Sequence, residues 1–173
     1  MKKVFLVVFF LILEINVFAQ STEGRKNKVI PDPETGEPML IGYCTREAFS
    51  DTSFSWWFDP EYEMYKPDSL SLYILKDKID SIDITIVMGT WCSDTREQVP
   101  RFYKILDELN YPTGEITLIS VDTDKKTEGD EIEGLEIELS PTFIFYKDVS
   151  ELGRIIETPE ESIEKDMLEI LLK

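Results

Sequence analysis

The stretch from Ile82 to Leu109 constrains the fold more than any other part of the chain. Ile82-Asp83-Ile84-Thr85-Ile86-Val87-Met88 is apolar, β-branched and of strand length, so it predicts a buried strand. From Asp94 to Leu109 the apolar residues Val99, Phe102, Ile105, Leu106 and Leu109 recur at spacings of three and four, which predicts a helix with one buried face. A strand that leads directly into an amphipathic helix must lay that helix on a sheet. Trp91-Cys92 stands at the joint between them.

The segments that follow complete the pattern. Ile116 to Val121 and Thr142 to Tyr146 read as two more buried strands, and Arg154 to Glu157 as a fourth after a turn at Leu152-Gly153. Ser162 to Leu172 closes as an amphipathic helix through Ile163, Met167, Ile170 and Leu171, with Glu160, Glu161 and Glu164 near its positive end. The order is strand, helix, strand, loop, strand, strand, helix. A crossover through a helix makes a parallel pair, and two adjacent closing strands make an antiparallel hairpin. The expectation is an α/β fold with a mixed central sheet flanked by helices.

The upstream half is less regular. Ser69 to Ile79, with Leu70, Tyr73 and Ile74 at helical spacing, predicts a helix capped by Asp68 or Ser69. Within Met39 to Asp68, Thr45 can cap a short helix through Phe49. "FSWWFDPEYEMYKPD" then sets six aromatics between Phe54 and Tyr65, interrupted by Pro60 and followed by Pro67, which argues against one long helix. These rings either wrap onto the following domain or form a partner-docking or substrate-facing surface. Gln20 to Pro38 reads as a polar tether, with a turn at Asp32-Pro33-Glu34-Thr35-Gly36. At the start, Lys2 and Lys3 precede the apolar run Val4 to Leu13, and Val17-Phe18-Ala19 offers a cleavage site before Gln20. That run has the length of a secretory signal core and is too short to span a bilayer. Export to the periplasm or outside the cell follows as an expectation, with membrane contact only through an uncleaved signal.

Charge and residue usage exclude several chemistries. Removing Lys2, Lys3 and Glu14 from 18 basic and 35 acidic residues leaves 16 and 34, a net charge of −18 on the mature chain. Such a field repels nucleic acid and anionic lipid heads. The absence of histidine excludes Ser-His-Asp and Cys-His machinery and His-based metal sites. The acidic run from Asp122 to Glu138 lacks the spacing of a Ca²⁺ loop and reads as a solvated loop, so no metal and no cofactor is expected. The two cysteines, Cys44 and Cys92, allow a single bridge, which spacing alone does not decide.

Cys92 is the candidate nucleophile. At a helix N-terminus, unpaired N–H groups and the macrodipole stabilise a sulfur anion. Arg96 adds positive charge in the first turn, while Asp94 and Glu97 oppose it. Thr95, three residues on, is expected to donate its hydroxyl to the sulfur.

Trp91-Cys92 after a buried strand, Pro100 inside the helix eight residues past Cys92, and Pro141 directly before the strand in "LSPTFIFYK" together resemble the thioredoxin-like superfamily. Its pattern reads strand, W-C-x-x-C, proline-containing helix, strand, then a cis-proline strand and hairpin. The match covers about residues 79 to 173, and the export features make the chain most similar to extracytoplasmic bacterial thioredoxin-type proteins. The resemblance implies a domain at 79–173, preceded by a signal at 1–19, a tether at 20–38 and an aromatic-rich extension with a helix at 39–78. It also implies that the Pro141 loop abuts Cys92 and that Ser140 and Thr142 flank a peptide-binding groove. This chain departs from the family at Thr95, which replaces the second cysteine, at Ser93-Asp94, which replaces Gly-Pro, and at Ile86, which stands where many relatives carry a buried acid.

A dithiol enzyme releases its mixed disulfide by attack of the second thiol, which Thr95 cannot perform. Three readings follow. Cys92 exchanges with protein or small-molecule thiols and disulfides as a monothiol, with Thr95 assisting and Trp91, Ser93, Asp94, Arg96, Ser140 and Pro141 supporting. Alternatively, the chain is a redox-inactive binding module that uses the proline groove and the aromatic segment. In the third reading, Cys44 pairs with Cys92 as a redox couple or a structural staple.

Overall fold

The computed structural model describes residues 26–173, and the signal segment and the start of the tether lie outside that range. The strands are β1 (Lys28–Pro31), β2 (Pro38–Cys44), β3 (Asp83–Met88), β4 (Thr117–Ser120), β5 (Thr142–Lys147) and β6 (Ser150–Ile156). The helices are α1 (Thr52–Met64), α2 (Ser69–Leu75), α3 (Ser93–Leu109) and α4 (Ile163–Leu171). The strands form one sheet in the order β1-β2-β4-β3-β5-β6. β3 and β4 are parallel, joined through α3, and every other pair is antiparallel. This is an α/β fold with a mixed central sheet flanked by helices, as the sequence pattern predicts.

The period-2 alternation of β3 divides the interior. Ile84, Ile86 and Met88 enter the main core with Phe143 and Phe145 of β5, and all four helices contribute side chains to that core. Val87 faces the other way with Ile119 and Val121, and this smaller cluster is covered by Ile132, Leu135 and Ile137. The acidic loop from 122 to 138 is therefore only partly solvated. Its carboxylates face water while three alternating apolar residues close a face of the sheet.

Four local expectations are corrected by the structure. Two strands, β1 and β2, occupy the segment read as tether and irregular extension. The Asp32 turn links them: its carboxylate accepts from the backbone N–H groups of Glu34 and Thr35 at 2.8 and 2.9 Å, and Gly36 takes a φ of +75°. The strand β2 then pairs with β4, so the central sheet draws on residues upstream of 79. Second, α1 runs through Pro60. Burial of Phe54, Trp57 and Phe58 contributes about 1.5–3 kcal/mol each, which outweighs the ~3 kcal/mol of an internal proline.

Third, α2 ends at Leu75 and buries Ser71 and Leu75, with Leu70 and Tyr73 exposed. Glu164 sets this orientation: its carboxylate is buried and accepts from the Asp68 N–H at 2.7 Å and from the Tyr65 hydroxyl at 2.8 Å. Fourth, the hairpin turns at Asp148, with a φ of +56°, and Gly153 lies inside β6. A Cβ there would stand 3.2 Å from Ile170 of α4, so Gly153 is a site of close helix packing and not a turn.

Candidate functional site

The site forms where β3 ends. Gly89 and Thr90 leave the sheet and a tight turn returns the chain, with the Cys92 N–H donating to the Gly89 carbonyl at 2.9 Å. Cys92 is then the N-cap of α3, with extended backbone angles of −79° and 132°. Trp91 folds back over the strand end and its indole N–H donates to the Val121 carbonyl at 3.0 Å. Glycine suits position 89, because a Cβ there would collide with the Trp91 indole ring.

Cys92 is half-buried and free. Its thiol donates to the Ser140 carbonyl at 3.1 Å, and the Asp94 carboxylate lies 4.0 Å from the sulfur. The Ser140–Pro141 peptide is cis, and Thr142 returns its hydroxyl to the Leu139 carbonyl at 2.8 Å. The structure thus brings Cys92, Asp94, Ser140 and Pro141 to one place. Ser93 opens α3 and is exposed.

Thr95 is fully buried, and its hydroxyl does not engage the sulfur as expected. It accepts from the Gly89 N–H at 3.4 Å and lies 3.3 Å from the Ser140 hydroxyl. The N-cap geometry aims the Thr95 side chain back under the turn, so it ties strand end, helix and proline loop together. Arg96 does not point freely at the sulfur either. Its Nε donates to the Thr90 carbonyl at 2.9 Å, its tip is 3.9 Å from Glu37, and its guanidinium lies 5.4 Å from the centre of the Trp56 ring. Thr90 in turn accepts the Leu40 N–H of β2 at 3.1 Å.

Cys44 is not a second thiol of this site. It is the last residue of β2, four residues past Leu40, the residue that touches the site turn. Through the register Cys44–Leu118–Ile86 it stands level with the middle of β3, whereas Cys92 lies four residues past the end of that strand, and both thiols are free. Its thiol is buried, donates to the Gly42 carbonyl at 3.4 Å, and is pushed up to about 12 by burial. Ile86 is buried in the main core.

Sequence reasoning missed Glu37, Trp56 and Thr90. Trp56 belongs to the aromatic run, but only the register of α1 decides which rings are buried. Phe54, Trp57 and Phe58 are, whereas Trp56 is 61% exposed at the rim of the site. Among the described residues no group of acids and cysteines is arranged to hold a metal ion.

No family model matches the chain, and no curated protein matches it. Among solved structures, a Pseudomonas aeruginosa protein of unknown function is similar, with 15% identity and a TM-score of 0.51 over 72% of this chain and 77% of that one. An HIV epitope-scaffold gives 15% identity and a TM-score of 0.51 over 75% and 83%. Thioredoxin O1 of Arabidopsis thaliana gives 23% identity and a TM-score of 0.39 over 60% and 88%. At 15% identity the first two likenesses are likenesses of fold.

Proposed function

We propose that this chain is an exported thioredoxin-type protein that performs monothiol thiol–disulfide exchange through Cys92. The observation that carries the reading is the pairing of an accessible thiol at a helix N-cap with the Ser140 carbonyl, 3.1 Å away in the proline loop, and no second thiol beside it. Cys92 gives its thiol proton to water, and the thiolate attacks one sulfur of a substrate disulfide. A Cys92–substrate S–S bond forms, the substrate S–S bond breaks, and the leaving sulfur departs as a thiolate with the bonding pair. An external thiol, from a protein or a small molecule, then attacks the mixed disulfide and frees Cys92. Lys2, Lys3 and the apolar run Val4 to Leu13 support export, and the −17 charge of the whole chain favours partners other than nucleic acid.

A second reading, a redox-inactive binding module, is favoured by the Asp94 carboxylate facing the sulfur and by the engaged guanidinium of Arg96. Trapping separates the two. The reduced protein is mixed with an activated disulfide, quenched with acid and mapped by mass. Exchange predicts an adduct on Cys92 that dithiothreitol removes and that Cys92→Ser abolishes. An unmodified Cys92 in the native protein refutes exchange.

A further inference from the structure

We propose that Trp56, carried by the N-terminal extension, is a substrate-contacting residue of the Cys92 site, and that it selects polypeptides whose cysteine is flanked by an apolar residue and by basic rather than acidic neighbours. This rests on the exchange reading above. Trp56 is 61% exposed although its neighbours Phe54, Trp57 and Phe58 are buried. Its place is fixed at both ends: the indole N–H donates to the Ser53 carbonyl at 3.0 Å, and the ring lies 5.4 Å from the Arg96 guanidinium. Arg96 is held on the Thr90 carbonyl, two residues before the thiol, and its backbone N–H donates to the Cys92 carbonyl at 3.1 Å. The ring is therefore a fixed apolar surface at the edge of the site, and a peptide joined to Cys92 covers it.

Charge selects within that class. Arg96 is the cation of the first helical turn, and it is already engaged by a carbonyl, an aromatic ring and Glu37. Asp94 stands 4.0 Å from the sulfur, and the chain carries a net charge of −17. An acidic residue beside the substrate cysteine meets repulsion from Asp94 and Glu37, and a basic one meets attraction.

The test uses the mature protein and hexapeptides with one cysteine held as a mixed disulfide with 2-mercaptoethanol. Cys92 gives its thiol proton to water, its thiolate forms the peptide–Cys92 S–S bond and breaks the bond to mercaptoethanol, and mercaptoethanol leaves as a thiolate that takes up a proton in turn. A leucine beside the peptide cysteine is expected to react about three- to tenfold faster than a glycine, the range of one aromatic contact. Lysine flanks are expected to exceed glutamate flanks by about two- to fivefold at low salt.

Trp56→Ala should erase the leucine preference, Trp56→Phe should retain most of it, and Tyr73→Ala, an exposed ring on α2, should leave it intact. Equal rates for leucine and glycine peptides in the wild type, or a preference that survives Trp56→Ala, overturns the role of Trp56. Failure of every peptide to form the adduct, while iodoacetamide labels Cys92, overturns the exchange reading and this inference with it.

Discussion

Thr95→Cys is the most direct probe of what the site lacks. Cys92 and Thr95 are the N-cap and the third residue of α3. Helical geometry puts their Cα atoms about 5 Å apart, within the 4.4–6.8 Å that a disulfide spans. The substitution removes a methyl group, about 0.8 kcal/mol, and replaces the hydroxyl that accepts the Gly89 N–H with a weaker acceptor, about 1 kcal/mol. The reduced variant should therefore lose ~2 kcal/mol. Closing a four-residue loop returns about 2 kcal/mol through the unfolded state, so the oxidised variant should melt near the wild type and about 4–8 °C above its reduced form. Mass mapping should show loss of two hydrogens across residues 92 to 95. Mixed disulfides that persist on wild-type Cys92 should be released by the variant without added thiol. An oxidised variant with both thiols still alkylatable, or an adduct as long-lived as in the wild type, would refute the geometry that sets position 95 within disulfide reach of Cys92.

Two further outcomes follow from the electrostatics. With its thiol near 12 and buried, Cys44 should alkylate at least a thousandfold more slowly at pH 7.5 than an ordinary thiol of about 8.5, whereas Cys92 labels in the native state; equal labelling without denaturant would contradict the burial. Burial lifts the Asp107 carboxyl, but hydrogen bonds from Arg46 at 2.7 and 2.8 Å and from Tyr62 at 2.6 Å outweigh it and hold the group below the ordinary carboxylate range. A depressed carboxylate stabilises the fold above its unfolded value, and that contribution is lost as pH falls through the depressed one. Asp107→Asn should therefore cost ~1–2 kcal/mol at neutral pH, allowing for one-third exposure of the pair, and should flatten the acid limb of a urea-stability profile below pH 4. An unchanged limb would contradict the linkage.

The parts of the fold that sequence made legible are those where periodicity and punctuation agree. β3, α3, β5 and α4 appear within a residue or two of their expected bounds because strongly periodic burial fixes them. Where tertiary context overrides local rules, the reading fails. Pro60 looks like a helix breaker until three buried rings hold α1 together. Leu70 and Tyr73 look like a core stripe until Glu164 turns the other face of α2 inward. Gly153 looks like a turn until Ile170 of α4 needs its missing Cβ. At the site, position along the chain located Cys92, Ser140 and Pro141, because strand, helix and proline loop are sequential elements. It did not foresee that Thr95 bonds away from the sulfur, or that Trp56 and Glu37, 36 and 55 residues upstream of Cys92, reach its rim through Arg96.

The pairing of β2 with β4 has a practical side. A shortened chain that begins at residue 79 keeps every element from β3 onward, yet it strips β4 of its partner at Gly42, Tyr43 and Cys44. It also removes the Leu40 groups that bond to Thr90 and Ser120. The strand left bare, Thr117-Leu118-Ile119-Ser120, carries no charge and exposes a fresh row of unpaired N–H and C=O groups, an open edge that other chains can pair with. Expression trials should therefore begin no later than Lys26, and the shorter product is expected to accumulate in the insoluble fraction.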